Sequence, residues 1–221
     1  MKTTKRFLTI CMLAVVFVLS FALVACDTDT PTPPPDNTDK PNWTLNSPDG
    51  KVKADIYFAN GQISYSVAKE GVAVVEKSNL GMATDQCEFV DLTFVSEQTS
   101  EDTISYTNLT GKTKQVTTSY KQNVLTFAEG DYLLDVVFRT YNDGYAFRYN
   151  IRKADESTGD FTVTDELTHF ALPQNAKTYA MAVVTNVGVL GGGAYYSYED
   201  KYQYRSYKNI ADEQLGFPVL Y

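Results

Sequence analysis

The chain has 221 residues, room for one medium domain with appendages, and carries 19 basic against 27 acidic residues for a formal charge of −8. That balance excludes a nucleic-acid partner, which requires a basic surface. A single histidine and three cysteines leave too few soft ligands for a thiol-rich metal centre.

The chain starts with Lys2, Lys5 and Arg6, followed by an uncharged, mostly apolar run over residues 7–25. The run approaches the roughly 20 residues a membrane span requires. It ends, however, in Leu23-Val24-Ala25-Cys26, which resembles the lipobox of bacterial lipoprotein signals. Ala25 fits a signal-peptidase site and the Cys26 thiol is the expected lipid acceptor. Export and anchoring at the cell surface or in the periplasm are therefore expected, with membrane contact through the lipid alone. Cleavage there removes three basic and no acidic residues, leaving 16 basic against 27 acidic.

The next stretch, DTDTPTPPPDNTDKPN, holds no large apolar residue and is rich in proline. It cannot bury enough surface to fold and reads as an extended tether. Large apolar residues resume at Trp43. The expected divisions are a signal over 1–25, a tether over 26–46 and a folded domain over 47–221. Only Cys87 remains in the body, so no disulfide within it is expected, and its surroundings, QCEFVDLTFV, read as a strand with Cys87 packed in it. His169 has no His or Cys partner and no G-x-S-x-G elbow exists for it to serve, so it reads as structural.

From residue 47 onward the chain reads as β. KVKADIYFA and QISYSVAK alternate at period two around Asn60-Gly61, a strong hairpin signal. VAVVE, EFVDLTFV, DTISYTN, KQVTTSY and NVLTFA follow as separate strands. DYLLDVVFRT and YAFRYNIR flank Asn142-Asp143-Gly144, and FTVTDE and THFALP close the run. No stretch from 47 to 180 carries a helical period of useful length. Many short strands with turns between them argue for an all-β sandwich or barrel rather than βαβ units.

The segment FRTYNDGYAFRY, residues 138–149, is the richest in chemistry. Period two places Leu134, Val136 and Phe138 on one face of the first strand, with Asp135, Val137, Arg139 and Tyr141 on the other. Tyr145, Phe147, Tyr149 and Ile151 share a face of the second, opposite Ala146, Arg148 and Asn150. One reading is a central hairpin whose arginine stems pack while their heads pair with Asp135 or a similar acid. The other is an arginine clamp on a ligand.

Five pieces occur in order: Ser47-Pro48-Asp49-Gly50-Lys51, Tyr65-Ser66-Val67, Ser78-Asn79-Leu80-Gly81, the Phe138–Tyr149 hairpin around Asn142-Asp143-Gly144, and Thr164-Asp165-Glu166-Leu167-Thr168-His169-Phe170. Together they resemble the N-terminal domain of glycoside hydrolase family 97, over about residues 46–221. The resemblance implies a large antiparallel β-sandwich of the galactose-mutarotase-like kind, packed on a (β/α)8 barrel that carries the catalytic carboxylates. It further implies hydrolysis of α-glucosidic or α-galactosidic bonds in an α-linked oligosaccharide by that barrel, with a calcium ion nearby. In inverting and retaining members the separation of two carboxylates sets the outcome.

The 221 residues contain no strand–helix alternation to build such a barrel. The sandwich is expected to be incomplete at its C-terminus and the chain as given to be inactive. The acidic pairs Asp155-Glu156, Asp165-Glu166 and Glu199-Asp200 read as turns or solvated pairs, since neighbours on a strand point to opposite faces. GVLGGGAYYSYEDKYQYRSY places six tyrosines between 195 and 207. These suit either a sugar-stacking surface or a docking surface for the barrel. Within this stretch Ser197-Tyr198-Glu199 matches a family element whose glutamate binds calcium, which makes Glu199 the implied ligand. The family usually has tryptophan where Tyr179 stands, and VGVLGGG resembles an insertion. Alternative readings of the whole chain are a stand-alone sugar-binding surface lipoprotein and a structural surface β-sandwich without ligand.

Overall fold

The computed structural model of the protein describes residues 40–157, 159–182, 201–210 and 215–221, all within one compact unit spanning Pro33–Tyr221. Cys26, the signal and the tether as far as residue 39 lie outside the described residues. The first strand, β1 (Trp43–Asn46), pairs with β2 (Val52–Ala59), so the last four residues assigned to the tether belong to the sheet. Trp43 explains the shift: its indole is buried against Phe94 and Phe127, which fixes the strand that carries it.

β1 and β2 continue into β3 (Gln62–Lys69) and β4 (Val72–Leu80), forming a four-stranded antiparallel sheet in chain order. After the short β5 (Met82–Thr84), a second four-stranded meander follows: β6 (Thr93–Thr107), β7 (Gln115–Glu129), β8 (Tyr132–Tyr141) and β9 (Gly144–Lys153). β10 (Val163–Glu166) returns to pair with β5, and β11 (Lys177–Ala182) is flanked by β12 (Gln203–Ser206) and β13 (Leu215–Leu220). All the described pairings are antiparallel. The fold is an all-β sandwich.

The core lies between the two four-stranded sheets. Ile56, Phe58, Ile63, Tyr65 and Val67 from the first meet Leu125, Phe127, Leu134, Val136 and Phe138 from the second. Alternation decides this. In β8 the inward residues Leu134, Val136 and Phe138 are fully buried, while the partly covered Asp135 and Arg139 point outward. A polar contact closes one side of the core: the Glu97 carboxylate accepts from Trp43 Nε1 at 3.0 Å and from Asn123 Nδ2 at 2.9 Å.

Several expected elements take a different form. KQVTTSY and NVLTFA, from Gln115 on, belong to one fifteen-residue strand, β7, and DTISYTN, up to Thr107, lies inside the equally long β6. Past Tyr120, which pairs with the end of β8, these two strands run on as a ribbon held by cross-strand hydroxyl contacts, Thr103–Ser119 at 2.7 Å and Ser105–Thr117 at 2.9 Å. EFVDLTFV is not a strand before Thr93. The Thr84 hydroxyl donates to the Cys87 carbonyl and accepts the Cys87 N–H, closing a turn, after which Phe89 adopts a left-handed φ of 49° and enters the core. Cys87 thus sits half-buried in a loop, with its thiol pushed above the usual range by burial. THFALP contributes only a single bridge, Glu76 to Ala171.

The Asn60-Gly61 turn is formed as expected, with both residues at positive φ (51° and 74°). Its glycine is required twice over. The backbone there is left-handed, and an added Cβ would meet Asp91 Oδ1 at 2.7 Å and Leu92 N at 3.0 Å, because Leu92 N–H donates to the Gly61 carbonyl. Gly61→Ala is therefore expected to destabilise the domain by more than about 1 kcal/mol. Urea unfolding should show the midpoint falling; an unchanged midpoint would contradict the close approach.

Candidate functional site

The β8–β9 hairpin presents two chemically different faces. On the inner face Tyr65 from β3 lies within 6.4 Å of the rings of Phe138, Tyr145, Phe147 and Phe170. Phe147 in turn stacks on Phe170 at 6.1 Å. The Tyr65 hydroxyl donates to the His169 carbonyl at 3.1 Å. Tyr149 exchanges a hydrogen bond with Thr168 at 2.7 Å and accepts from Gly81 N–H at 3.2 Å. Burial raises the phenol pKa of Tyr65 and Tyr145, and pushes that of Tyr149 up to about 12 against the pull of its Thr168 hydrogen bond. These hydroxyls are held protonated at neutral pH, and those of Tyr65 and Tyr149 tie Thr168 and His169 to the sandwich. The wall is structural, apart from Phe170, whose ring is 59% exposed.

The hairpin is expected to be central but forms the margin of its sheet. β8 lies between β7 and β9, and among the described residues β9 is the edge strand, with Phe147 and Tyr149 half-buried rather than enclosed. The chain leaves the sheet after Lys153, and its next strand pairs with β5 elsewhere. Edge position suits the exposed Arg148 and Arg152, whose charges discourage pairing with another chain.

On the outer face, Val137, Arg139, Tyr141, Ala146 and Arg148 border a shallow hollow of about 140 Å3. Ala146 lies directly across from Arg139, and Arg148 across from Val137, so the small alanine leaves space between two guanidinium groups. Arg139 is fixed: its Nε donates to Gln122 Oε1 at 2.7 Å and its guanidinium carbon stands 4.1 Å over the Tyr120 ring. Asp135, the expected partner for an arginine, is taken by Arg152 at 3.3 Å and by the Thr126 hydroxyl at 2.8 Å. The paired reading therefore holds for Arg152, and Arg139 is held by an amide and a ring instead of an acid.

A third surface is the β12–β11–β13 sheet. Tyr204, Tyr179 and Leu220 are register partners in one row and are 59, 48 and 66% exposed. The two tyrosine rings lie 4.9 Å apart. Phe217 and Tyr221 add further exposed apolar area on β13 and just beyond it. The row joins residues up to 41 positions apart, so no sequence window reveals it.

Ser197-Tyr198-Glu199, the three glycines and Asp200 lie outside the described residues. Among the described residues no three His, Cys, Asp or Glu side chains gather as a metal site. Asp155 and Glu156 lie at a turn, where Ser157 lowers the Asp155 pKa by hydrogen bonding, and Asp165 and Glu166 are exposed on β10. His169 is exposed, and its backbone rather than its ring makes the structural contacts, to Asn79 and Tyr65.

Residues 45–221 match the family model described as Glycosyl-hydrolase 97 N-terminal. Among solved structures, the chain is similar to a glycoside hydrolase family 97 enzyme from Pseudoalteromonas sp. strain K8 in complex with panose, and to the same enzyme in complex with acarbose. In both cases identity is 25% and the TM-score 0.54, covering 62% of this chain and 22% of the enzyme. A beta-arabinopyranosidase shares the fold at 24% identity and a TM-score of 0.59, covering 73% of this chain and 26% of that one. The chain thus spans about a quarter or less of these enzymes. A search of curated proteins gives no match.

Proposed function

Because the chain belongs to the glycosyl-hydrolase 97 N-terminal family, we propose that it is the non-catalytic N-terminal domain of an exported bacterial α-glycosidase, supporting the active site of a (β/α)8 barrel that follows it. The observation that carries this reading is the match over residues 45–221, set beside enzymes of which the chain covers only 22%. The exposed Tyr204–Tyr179–Leu220 row fits the proposed role, since a contiguous apolar strip on a β-sheet is the kind of surface a neighbouring domain or a sugar ring covers. On this reading the barrel supplies the acid and base, and the substrate is an α-linked glucoside or galactoside.

Calcium enters the same proposal through Glu199. The ion takes 6–8 oxygen ligands at roughly 2.3–2.6 Å, more than one carboxylate provides. The remaining ligands are assigned to the barrel, as the resemblance implies. Cys26 would carry the lipid that anchors the enzyme, with the proline-rich tether holding it clear of the membrane.

The test uses residues 1–221 and, beside them, the protein with its proposed barrel. The shorter chain is expected to leave panose intact and the longer one to cleave it. In the longer protein Glu199→Gln keeps the side-chain shape, removes a charge, and should weaken calcium binding about tenfold or more while lowering activity that added calcium partly restores. Panose cleavage by residues 1–221 would overturn the non-catalytic reading, and a Glu199→Gln enzyme indifferent to calcium would overturn the ligand assignment.

A further inference from the structure

The outer face of the hairpin is not used by the docking and calcium roles just described. The Arg148 side chain is exposed on β9 and makes no ion pair or hydrogen bond among the described residues, in a chain with an excess of acid. Its register neighbours across and along the sheet are Val137, Ala146 and Asn150, none of them acidic. The nearby carboxylate, Asp135, is already engaged. Arg139 borders the same hollow from the opposite strand, and its orientation is set by Gln122 and Tyr120. With Nε committed to Gln122, the terminal nitrogens of Arg139 are the donors left for a ligand. A guanidinium already held in place loses little freedom on binding and matches a carboxylate in two-point geometry. The small Ala146 and the phenolic Tyr141 also line the hollow.

We propose that this hollow between Arg139 and Arg148 is a binding site for a sugar acid, with the carboxylate of a uronate residue held by the two guanidinium groups and the ring resting between Ala146 and Tyr141. Two cations select the carboxylate, and about 140 Å3 suits one sugar unit rather than an extended chain. The choice of a sugar to carry the carboxylate rests on the carbohydrate role proposed above; carboxylate recognition itself does not. The domain would thereby recognise an acidic residue on a polysaccharide whose neutral α-linkages are cleaved elsewhere.

Calorimetry on the whole chain at low ionic strength tests this, with D-glucuronate, acetate and D-glucose as probes. Glucuronate should bind one to one, more weakly as salt is raised, and about tenfold or more weakly to Arg148→Gln. Acetate should bind more weakly than glucuronate but with the same dependence on Arg148, and glucose should show no Arg148-dependent binding. Arg148→Gln should keep the parent thermal transition, because the side chain is exposed and carries no contact of the fold. Absence of glucuronate binding, or binding indifferent to Arg148→Gln, overturns the site. Acetate binding as tightly as glucuronate overturns its assignment to a sugar. Glucose or panose binding with the same affinity to parent and variant, while glucuronate fails, sinks this site and leaves the carbohydrate reading of the domain standing.

Discussion

Phe127→Ala is expected to cost about 3–5 kcal/mol, a large part of the roughly 5–15 kcal/mol that holds a domain of this size together. Phe127 is fully buried, and its ring meets Phe58 at 5.0 Å, Phe94 at 5.9 Å and Trp43 at 6.2 Å. It therefore joins β2 of the first sheet to β7 of the second and backs the indole that anchors β1. Truncation leaves a cavity bounded by three other rings on stiff strands, which relax little into the space. Urea unfolding should show the midpoint drop by a large fraction or the transition vanish. A loss near 1 kcal/mol would mean that the sheets do not pack face to face at this point. Leu109→Ala, at a fully exposed loop position, should change nothing and serves as the control.

Steep alkaline destabilisation is the second large effect expected. The phenols of Tyr65, Tyr145 and Tyr149 are all raised by burial, Tyr149 to about 12, whereas in the unfolded chain each ionises near 10. Their contribution is fully present below pH 10, where both states keep the proton. It declines above pH 10, because the unfolded chain releases protons that the folded one retains, and it is lost as pH passes the folded pKa. Each phenol adds a slope of about 1.4 kcal/mol per pH unit within its window. Lys53, raised by its hydrogen bond to Asp55, acts in the same direction. The urea midpoint should be level from pH 7 to 9 and fall sharply between 10 and 12. Tyr149→Phe should flatten part of that fall, while costing about 1 kcal/mol at neutral pH through the lost contacts to Thr168 and Gly81. A midpoint that stays level to pH 12 would mean that these hydroxyls reach water.

Much of the sandwich is legible in the chain. Period-two alternation in VKADIYFA, QISYSVAK and YLLDVVFRTY places the core residues correctly because a strand with one wet face must alternate. Asn60-Gly61 identifies its hairpin because few residue pairs accept two consecutive left-handed conformations. Five short segments in order lead to the family that the match over residues 45–221 establishes.

The arrangement between strands is what the chain alone leaves open. The charged stretch between KQVTTSY and NVLTFA reads as a break, yet β7 runs through it because it pairs with β6 along nearly its whole length and with β8 from Tyr120 onward. Glu88 to Leu92 reads as part of a strand, but Thr84 captures Cys87 and Leu92 bonds to Gly61, so Phe89 and Leu92 reach the core from a loop. Whether FRTYNDGYAFRY was central or marginal depended on where the next strand paired, and β10 chose β5. The same holds for the candidate sites. Arg139 and Arg148 are visible in the sequence, but the hollow between them exists because register sets Ala146 opposite Arg139, and because Arg152 occupies Asp135. The sequence by itself determined the all-β class, the burial faces of the regular strands and the family, since these follow from local sterics and residue order. Tertiary structure decided edge against centre, loop against strand and which charges were left without a partner, because those depend on pairings between residues far apart in the chain.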